Sequence, residues 1–432
     1  MKKFKYSLAT AGLLIIVAGA QAQVERSRTV EESWNNIAHV TVDHRHGKLE
    51  VIPHAQPQVR LEAVMKVRAN AAEDAQIAVD HFDVKMTVQG NRLSLKTQFD
   101  TKNWITTMGT TRIKFSDGEK ASGIKDIAID YQLYVPRQTH LDLSNKYQDI
   151  VINGDLDGDL AVTQYDADVR AGNVAGSLRA NVKYGGATIG QVGDAEIELY
   201  DAKMELERAG VTTVKSKYSD YRIGHATSLR IHSYDDDVRI TEVTGLLDIN
   251  DKYSDYNIGS CGTSKIQSYD GDFTMTRTGD HSGMSSYSSY RIGSAGKVTL
   301  EKSYDDDFEI DALTSLSCTN SKYSGFQLGN VERAVEIGQS YDDEIRVQGV
   351  SGQFNAFSID SKYTSVAIPL GQLPGYTLDA TTKYGKLRYP EPAKSVRHIE
   401  KGDNTEVSAV IGSNGAQCKV TISAYDSDIR LN

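Results

Sequence analysis

The chain has 432 residues, of which 39% are hydrophobic and 25% charged, and its formal net charge is −10. This acidity disfavours nucleic acids and anionic membrane surfaces as partners. No stretch approaches the roughly 18 consecutive apolar residues of a membrane-spanning helix, so the sequence predicts no transmembrane segment.

Residues 1–22 have the features of a secretory signal peptide. Three lysines precede an apolar run that ends at Val17, and residues 20–22 form an Ala-Gln-Ala cleavage site. Loss of these lysines would take the formal charge from −10 to −13. The sequence therefore predicts an exported protein that is periplasmic, on the cell surface or secreted.

Residues 23–140 show an irregular, β-rich pattern. Both tryptophans lie here, strand-like alternation appears at 59–63 and 127–131, and the segment 71–81 is a good helix candidate. Residues 137–368, in contrast, contain no proline, a residue that central strands exclude. We interpret 23–140 as a β-rich N-terminal cap with one short helix, which covers the first coil of a repeat domain.

Two motifs alternate along residues 141–432, most regularly over 141–368. One reads Lys-Tyr-Ser-Asp-Tyr, as at 217–221, and the other reads Tyr-Asp-Asp-Asp-Val, as at 234–238. Their terminal apolar residues recur every 17–19 residues, at Ile223, Ile240, Ile258, Met275, Ile292, Ile310, Leu328 and Val347. This period, with alternating strands and glycine turns, predicts an all-β fold. The expected architecture is a parallel β-solenoid (β-helix) of about 17–18-residue coils, about 4.8 Å apart, with the column of apolar residues facing inward.

In this register the two motifs interlock as neighbouring columns. One column alternates lysine with tyrosine, as in Lys217, Tyr234 and Lys252. The other column contains Tyr218, Asp235, Tyr253, Asp270, Tyr287, Asp305 and Tyr323. Like charges that are directly opposed on adjacent strands repel, so alternation separates them. It also places each lysine between tyrosines, where a cation–π contact of roughly 0.5–1 kcal/mol is available.

The order of elements resembles a known family. A strand pair around 47–51, the segment 59–69 with the short helix after it, and a Tyr-Gln-Leu-Tyr-Val-Pro element at 131–136 precede many short coils. In these features the chain resembles the exported bacterial β-strand-repeat proteins called "putative adhesins", a domain of unknown function. The resemblance implies a repeat architecture and export, with adhesion as the role given to the family; none of its motifs is catalytic.

The acidic clusters at 235–237, 305–307 and 342–344 allow two interpretations. Parallel β-helices host polysaccharide lyases and hydrolases that use several carboxylates, sometimes with calcium. A catalytic centre occurs once, however, whereas this motif recurs in nearly every second coil. Repetition favours a structural role, and no catalytic residue is predicted.

Two places could hold a metal ion. The acidic column that contains Asp220 and Asp237 could bind calcium, but arginines two residues along on the same face offer surface ion pairs instead. His44 and His46 share one face of a strand, yet two ligands without a third are weak evidence. We interpret them as surface histidines near a turn. No metal and no cofactor are predicted.

The predicted function is that of an exported, non-enzymatic structural or binding module. The alternative is a carbohydrate-active β-helix enzyme, a polysaccharide lyase or hydrolase. A single cleft lined by carboxylates of different coils would favour the enzyme, whereas a uniform row along one face would favour the binding module. The expected partner is a glycan or a surface protein; the sequence does not predict the oligomeric state.

The expected ligand-binding face is the column from Tyr218 to Tyr323. Its tyrosines occupy alternate coils, which would place their rings roughly 9–10 Å apart, near the length of a disaccharide, with the aspartates between them. Flat amphipathic rings stack on sugars, and the carboxylates could accept hydrogen bonds from hydroxyls. The alternative is that the rings only cover the backbone at a corner of the solenoid.

Overall fold

The computed structural model describes residues 23–390, 393–412 and 418–432. The expected signal peptide, residues 1–22, lies outside the described residues. The chain divides into two compact units, which are described from residue 23 to Glu207 and from Arg208 to Asn432. In the described part of the chain, no helix is long and apolar enough to cross a membrane.

The N-terminal unit begins with ten elements. They are β1 (Val24–Asn35), β2 (His39–Asp43), β3 (Leu49–His54), β4 (Gln58–Ala69), α1 (Ala72–Asp80), β5 (Phe82–Gln89), β6 (Arg92–Phe99), β7 (Thr101–Thr107), β8 (Thr110–Phe115) and β9 (Lys120–Pro136). β4 lies between β1 and β9 in an antiparallel sheet. Its alternating pattern, broken by the apolar Val64 on the outer face, buries one face from Val59 to Ala69. The helix α1 packs against that sheet and buries Ala75, Ala78 and Val79. It lies within the segment 71–81 that the sequence indicated as a helix.

The first coil consists of β2 and β3, and it has parallel neighbours on both sides. β6 pairs with β2 and β9 pairs with β3 on one side. On the other side lie the next two strands of the chain, β10 (His140–Lys146) and β11 (Ile150–Ile152). The segment from β4 to β9 therefore leaves the first coil and returns to cover its outer edge.

The remaining coils of the N-terminal unit repeat this arrangement in register. β10 pairs with β12, β12 with β14, and β14 with β16, while β11, β13 and β15 stack beside them, all parallel. The bounds are β12 (Leu160–Tyr165), β13 (Val169–Ala171), β14 (Leu178–Lys183), β15 (Gly186–Gln191) and β16 (Ala195–Tyr200). The next strand, β17 (Lys203–Lys217), contains the boundary between the two units.

Longer strands make up the C-terminal unit. They are β18 (Asp220–Tyr234), β19 (Asp237–Lys252), β20 (Asp255–Tyr269), β21 (Asp272–Ser286), β22 (Ser289–Tyr304), β23 (Asp307–Lys322), β24 (Gly325–Tyr341), β25 (Glu344–Val350), β26 (Ala356–Lys362) and β27 (Ser365–Ala367). After a 3-10 turn (Leu370–Gln372) follow β28 (Gly375–Lys383), β29 (Lys386–Arg388), β30 (Ala393–Lys401), β31 (Asn404–Gly412), β32 (Lys419–Tyr425) and β33 (Asp428–Arg430). Consecutive coils from β18 to β27 pair in parallel.

The last strands of the chain are inserted into the stack instead of ending it. β32 pairs with β26 on one side and with β28 on the other, and β33 lies likewise between β27 and β29. β28 and β29 therefore form the outermost of these coils. β31 pairs antiparallel with β28, and β30 with β31.

The predicted parallel β-solenoid and its register are confirmed. Ile223, Ile240, Ile258, Met275, Ile292, Ile310, Leu328 and Val347 follow one another as direct partners, all nearly fully buried, and coils recur about every 18 residues. Two residues earlier in each coil lies a second buried column that is largely aromatic. Its rings stack face to face with centroids 4.6–5.3 Å apart, from Tyr256 through Phe273, Tyr290 and Phe308 to Phe326. This spacing matches the distance between adjacent strands, so each coil from Tyr256 to Phe326 extends the same stack of rings.

Replacement of Ile258 by aspartate should lower the free energy of unfolding by about 3 kcal/mol or more. The side chain has no exposed surface, so the new carboxyl would be buried without a partner. Equilibrium unfolding in urea measures the effect. Asn257→Asp is the matched control, since Asn257 is exposed on the same strand. Equal destabilisation by both substitutions would contradict the inward orientation.

Candidate functional site: a tyrosine ladder over a left-handed corner

Each coil contains one corner residue whose backbone is left-handed. In the C-terminal unit these residues have φ between 47° and 65° and none is glycine: Tyr218, Asp235, Tyr253, Asp270, Tyr287, Asp305, Tyr323, Asp342, Tyr363, Tyr384 and Asp426. The corner of the N-terminal unit follows the same rule, with Tyr147, Asp166, Tyr184 and Asp201. A left-handed conformation costs a residue with a Cβ atom roughly 1–2 kcal/mol, and aspartate tolerates it better than tyrosine. The repeated tyrosines therefore require compensating contacts.

All seven residues of the expected ligand-binding face lie on this corner and are exposed. The four tyrosines each expose 43–47% of their surface. They are Tyr218, Tyr253, Tyr287 and Tyr323. The structure brings the predicted residues together on one edge of the C-terminal unit, where a long ligand could contact several coils at once.

The expected separation of the rings by aspartates is wrong. Tyrosines of the neighbouring column lie between the rings of the corner tyrosines. Tyr234, for example, contacts both Tyr218 and Tyr253, at ring-centroid distances of 5.6 and 5.4 Å. The interplanar angles are 81° and 80°, an edge-to-face arrangement. We call the whole row the tyrosine ladder; in spatial order it runs through Tyr218, Tyr234, Tyr253, Tyr269, Tyr287, Tyr304, Tyr323, Tyr341, Tyr363, Tyr425 and Tyr384.

Sequence reasoning missed the continuity of the ladder because it treated the two columns separately. The left-handed residue of one coil and the residue before the corner on the next coil point their rings to the same edge. A tyrosine in either column can therefore contribute one ring per coil. The signal was present in the sequence, since every coil from 217 to 342 places one tyrosine in one of the two columns.

Lysines flank the ladder, as the alternation predicted. Lys252 is the direct partner of both Tyr234 and Tyr269 on the adjacent strands. The ammonium of Lys217 lies 5.7 Å from the ring centroid of Tyr234, and the ammonium of Lys322 lies 6.0 Å from that of Tyr341. These are cation–π contacts on an exposed surface.

Two corner tyrosines of the ladder, Tyr253 and Tyr323, have a raised pKa. Desolvation raises the pKa of Tyr253, and the neighbouring Tyr269 and Tyr234 raise it further. The pKa of Tyr323 shifts in the same direction for the same reasons. These two hydroxyls therefore stay protonated at neutral pH and can donate as well as accept a hydrogen bond.

Beneath the ladder, from residue 219 to residue 364, the residue that follows each corner points inward and is buried. After the tyrosines it is a serine or threonine, and after three of the four aspartates it is an aspartate: Asp236, Asp306 and Asp343. The carboxylate of Asp236 accepts hydrogen bonds from the Ser219 amide at 2.8 Å and from the Ser216 hydroxyl at 2.6 Å. Asp306 and Asp343 make the same kinds of contact with serines of the same and adjacent coils. We call these buried aspartates and serines the polar spine.

At one coil that lacks the buried aspartate, the adjacent coil contributes a carboxylate instead. Gly271 occupies the place of the expected aspartate, and a Cβ atom there would collide with the Asp251 carboxylate. Asp251 stands where other coils have serine, and it accepts hydrogen bonds from the hydroxyls of Ser233 at 2.8 Å and Ser268 at 3.2 Å. The paired change keeps a carboxylate within this part of the polar spine.

The acidic clusters are therefore divided among three environments. Asp235 is the exposed corner residue, Asp236 is buried, and Asp237 lies on the outer face. On that face Arg239 contacts the carboxylates of Asp220 and Asp237, both at 3.0 Å. The predicted ion pairs are present at these residues.

The interpretation of His44 as a surface residue is wrong. It has no exposed surface, its Nδ1 lies 2.7 Å from the Thr97 hydroxyl, and burial lowers its pKa to about 4. His46 is partly buried, with its ring stacked on Trp104 at a centroid distance of 5.1 Å. The two imidazoles do not form a shared surface site.

No family model matches the chain, and no curated protein matches it. Among solved structures, a "putative adhesin" from Bacteroides fragilis aligns with a TM-score of 0.29 and 10% identity, covering 66% of this chain and 97% of that one. A second "putative adhesin", from Parabacteroides merdae, aligns with a TM-score of 0.27 and 9% identity, covering 66% of this chain and 96% of that one. A "putative lipid binding protein" from Parabacteroides distasonis aligns with a TM-score of 0.25 and 9% identity, covering 66% of this chain and 95% of that one. The adhesin names agree with the family that the sequence resembles, but likeness at this level carries no argument about binding.

The stability that Asp236 contributes should increase as the pH falls. Burial raises its pKa to about 6, against opposing hydrogen bonds from Ser216, Ser219 and Tyr234. Its ordinary value is 3.8, so the folded state binds this proton more tightly than the unfolded state does. Lowering the pH from about 6 to about 4 therefore increases the contribution of Asp236 to the free energy of unfolding, by up to about 3 kcal/mol.

Urea unfolding of the wild type and of Asp236→Asn across pH 4–7 measures this contribution as a difference. The difference is needed because another buried group has the opposite pH dependence over the same range. The pKa of His281 is lowered to about 4, so its contribution to the free energy of unfolding decreases as the pH falls. Asp235→Asn is the control at the adjacent exposed position and should keep the wild-type pH dependence. Parallel curves for the wild type and Asp236→Asn would contradict the assignment of a raised pKa to the polar spine.

Proposed function

We propose that this protein is an exported, non-enzymatic binding module whose tyrosine ladder binds an extended linear glycan. The observation that carries the proposal is a row of half-exposed tyrosines, several of them on backbone positions that disfavour tyrosine. Asparagine or glycine would satisfy a left-handed corner with less strain. Use of tyrosine there supports a role for the exposed rings beyond turning the chain.

The chemistry of the ladder suits a polysaccharide. Its rings offer flat apolar surfaces for the C–H faces of sugars, and their neutral hydroxyls can exchange hydrogen bonds. The exposed carboxylates of Asp235 and Asp270 lie along the same corner as acceptors for sugar hydroxyls. Rings of one column recur after two steps of about 5.5 Å each, close to the length of a disaccharide.

The arrangement of carboxylates favours binding over catalysis. Glycoside hydrolysis requires two carboxylates on either side of one bond. Here the described carboxylates of the repeat motif are distributed along a corner, a buried spine and an outer face, and the pattern recurs from coil to coil. A depression beside the ladder, lined by Lys252, Ser268, Tyr269, Ser286 and Lys302 among others, is shallow and open. The sequence features of residues 1–22 support export of this module.

Two corner tyrosines provide a direct test. Tyr253→Asn combined with Tyr287→Asn removes two rings while retaining a residue type that accepts a left-handed backbone. Binding to a panel of soluble linear polysaccharides, neutral and charged, is measured by calorimetry and affinity electrophoresis. Loss of two stacking contacts should weaken binding by about tenfold or more.

Asn257→Ala with Thr274→Ala is the matched control, because both residues are exposed on the neighbouring outer face. This variant should bind like the wild type. Circular dichroism and urea unfolding establish that both double variants remain folded. Unchanged binding in the asparagine variant, or no binding of any polysaccharide by the wild type, would refute the glycan assignment.

A further inference from the structure

A cluster of three potential metal ligands lies in the N-terminal unit, away from the tyrosine ladder. His81 directly follows α1, while Asp117 and Glu119 lie in the turn between β8 and β9. One nitrogen of His81 and one carboxylate oxygen of each acid all lie within 4.8 Å of one another. Neither the repeat motif nor the proposed glycan site involves these residues.

The imidazole of His81 is held in one orientation. Its ring stacks on Phe115 with centroids 3.8 Å apart and an interplanar angle of 13°, and only 14% of the side chain is exposed. Nδ1 lies 2.8 Å from the carbonyl oxygen of Ile77. Because a carbonyl only accepts, Nδ1 must carry a proton and donate it. Nε2 faces the two carboxylates and, without a metal ion, donates a proton to Oδ2 of Asp117 at 2.8 Å. A cation would take the place of this proton and bind the lone pair of Nε2.

This arrangement is the one that metal-binding histidines use. Such a histidine almost always donates its other ring N–H to a carbonyl or carboxylate, which fixes the tautomer and the direction of the lone pair. The turn holds the acids in a similar way. Oδ1 of Asp117 accepts the amide of Glu119 at 2.9 Å, which leaves Oδ2 directed at Nε2 of His81.

The three ligand atoms lie within 4.8 Å of one another, close enough for small side-chain movements to bring them around a small tetrahedral cation. Nε2 of His81 lies 2.8 Å from Oδ2 of Asp117 and 3.7 Å from Oε2 of Glu119. Ligand atoms about 2.0–2.1 Å from a tetrahedral Zn²⁺ lie roughly 3.3 Å apart, between these two values. We propose that His81, Asp117 and Glu119 form a Zn²⁺ site that joins the end of α1 to the β8–β9 turn.

The donor set favours zinc over calcium. Calcium takes six to eight oxygen ligands, whereas an imidazole with two carboxylates suits Zn²⁺ and leaves a fourth position for water. Other histidine–carboxylate contacts lack the third group in the described residues. His225, for example, contacts Glu242 at 3.1 Å, and His398 contacts Glu400 at 3.2 Å. Each is a contact of one histidine with one carboxylate, which makes them useful controls.

Zinc at this position would hold the helix against the sheet. α1 has nine residues, no side-chain cap at its start and no basic residue in its last turn. Its contacts with β1, β4 and β9 fix its apolar face, and the metal would fix its C-terminal end. The open fourth position would face solvent beside Asp117 and Glu119, which are more than half exposed.

The test uses the full chain without a polyhistidine tag. Equilibrium dialysis with metal analysis, and calorimetry with Zn²⁺, Mn²⁺ and Ca²⁺ separately, measure stoichiometry and affinity. We expect one Zn²⁺ per chain, much weaker Ca²⁺ binding, and a rise in melting temperature with Zn²⁺. Replacement of zinc by Co²⁺ should give the visible absorption of a tetrahedral site.

Two variants remove the site in different ways. His81→Phe keeps an aromatic ring against Phe115 but has no nitrogen, and Asp117→Asn with Glu119→Gln keeps the size of two exposed side chains. Each should weaken Zn²⁺ binding by more than about tenfold and abolish the zinc-dependent rise in melting temperature. His225→Ala should leave both unchanged. Wild-type zinc affinity in these two variants, or no zinc binding by the wild type, would overturn the proposal and leave the cluster as an ion pair.

Discussion

The C-terminal unit depends on a left-handed backbone position that recurs at one corner of every coil. It shifts the phase of the alternation, so that the corner residue points outward like the residue before it, and the next residue points into the interior. Lys252 and Tyr253 are both exposed, and Ser254 is buried. Two strands of opposite phase can thus share one coil, and the apolar column around Ile258 stays in register.

Both sides of the corner compensate for its conformational cost. Inside, amides that would otherwise be buried without partners donate to carboxylates and hydroxyls, as Ser219 does to Asp236 and Asp236 does to Ser254. Outside, each tyrosine ring meets the next edge to face. The same rings remain half exposed, so one arrangement can support the backbone and present a ligand surface. Stability and the proposed glycan binding therefore involve the same residues, and variants must separate the two.

The repeat period determined most of what the sequence could predict. Alignment on Ile223 and its successors gave the correct register because a buried column tolerates only apolar residues. Asp236 is in phase with the inward Val238 and Ile240, so strict alternation would have placed it inside. Its inward position was not predicted because the acidic cluster was interpreted as part of a solvated surface. Its column nevertheless contained only serine, threonine, aspartate and glycine, without a lysine, which is unusual for a solvated face. The insertion of β32 between β26 and β28 could not be predicted, because a repeated motif fits any position in the stack.

The central claim is that ring contacts outweigh the strain of a left-handed tyrosine. The free energies of unfolding of Tyr253→Gly, Tyr253→Phe and the wild type test it most directly. Glycine removes the strain of roughly 1–2 kcal/mol but also removes two edge-to-face contacts of about 0.5–1.5 kcal/mol each and the buried surface of the ring. The account predicts that phenylalanine matches the wild type and that glycine is less stable. A glycine variant as stable as the wild type, or more so, would contradict it.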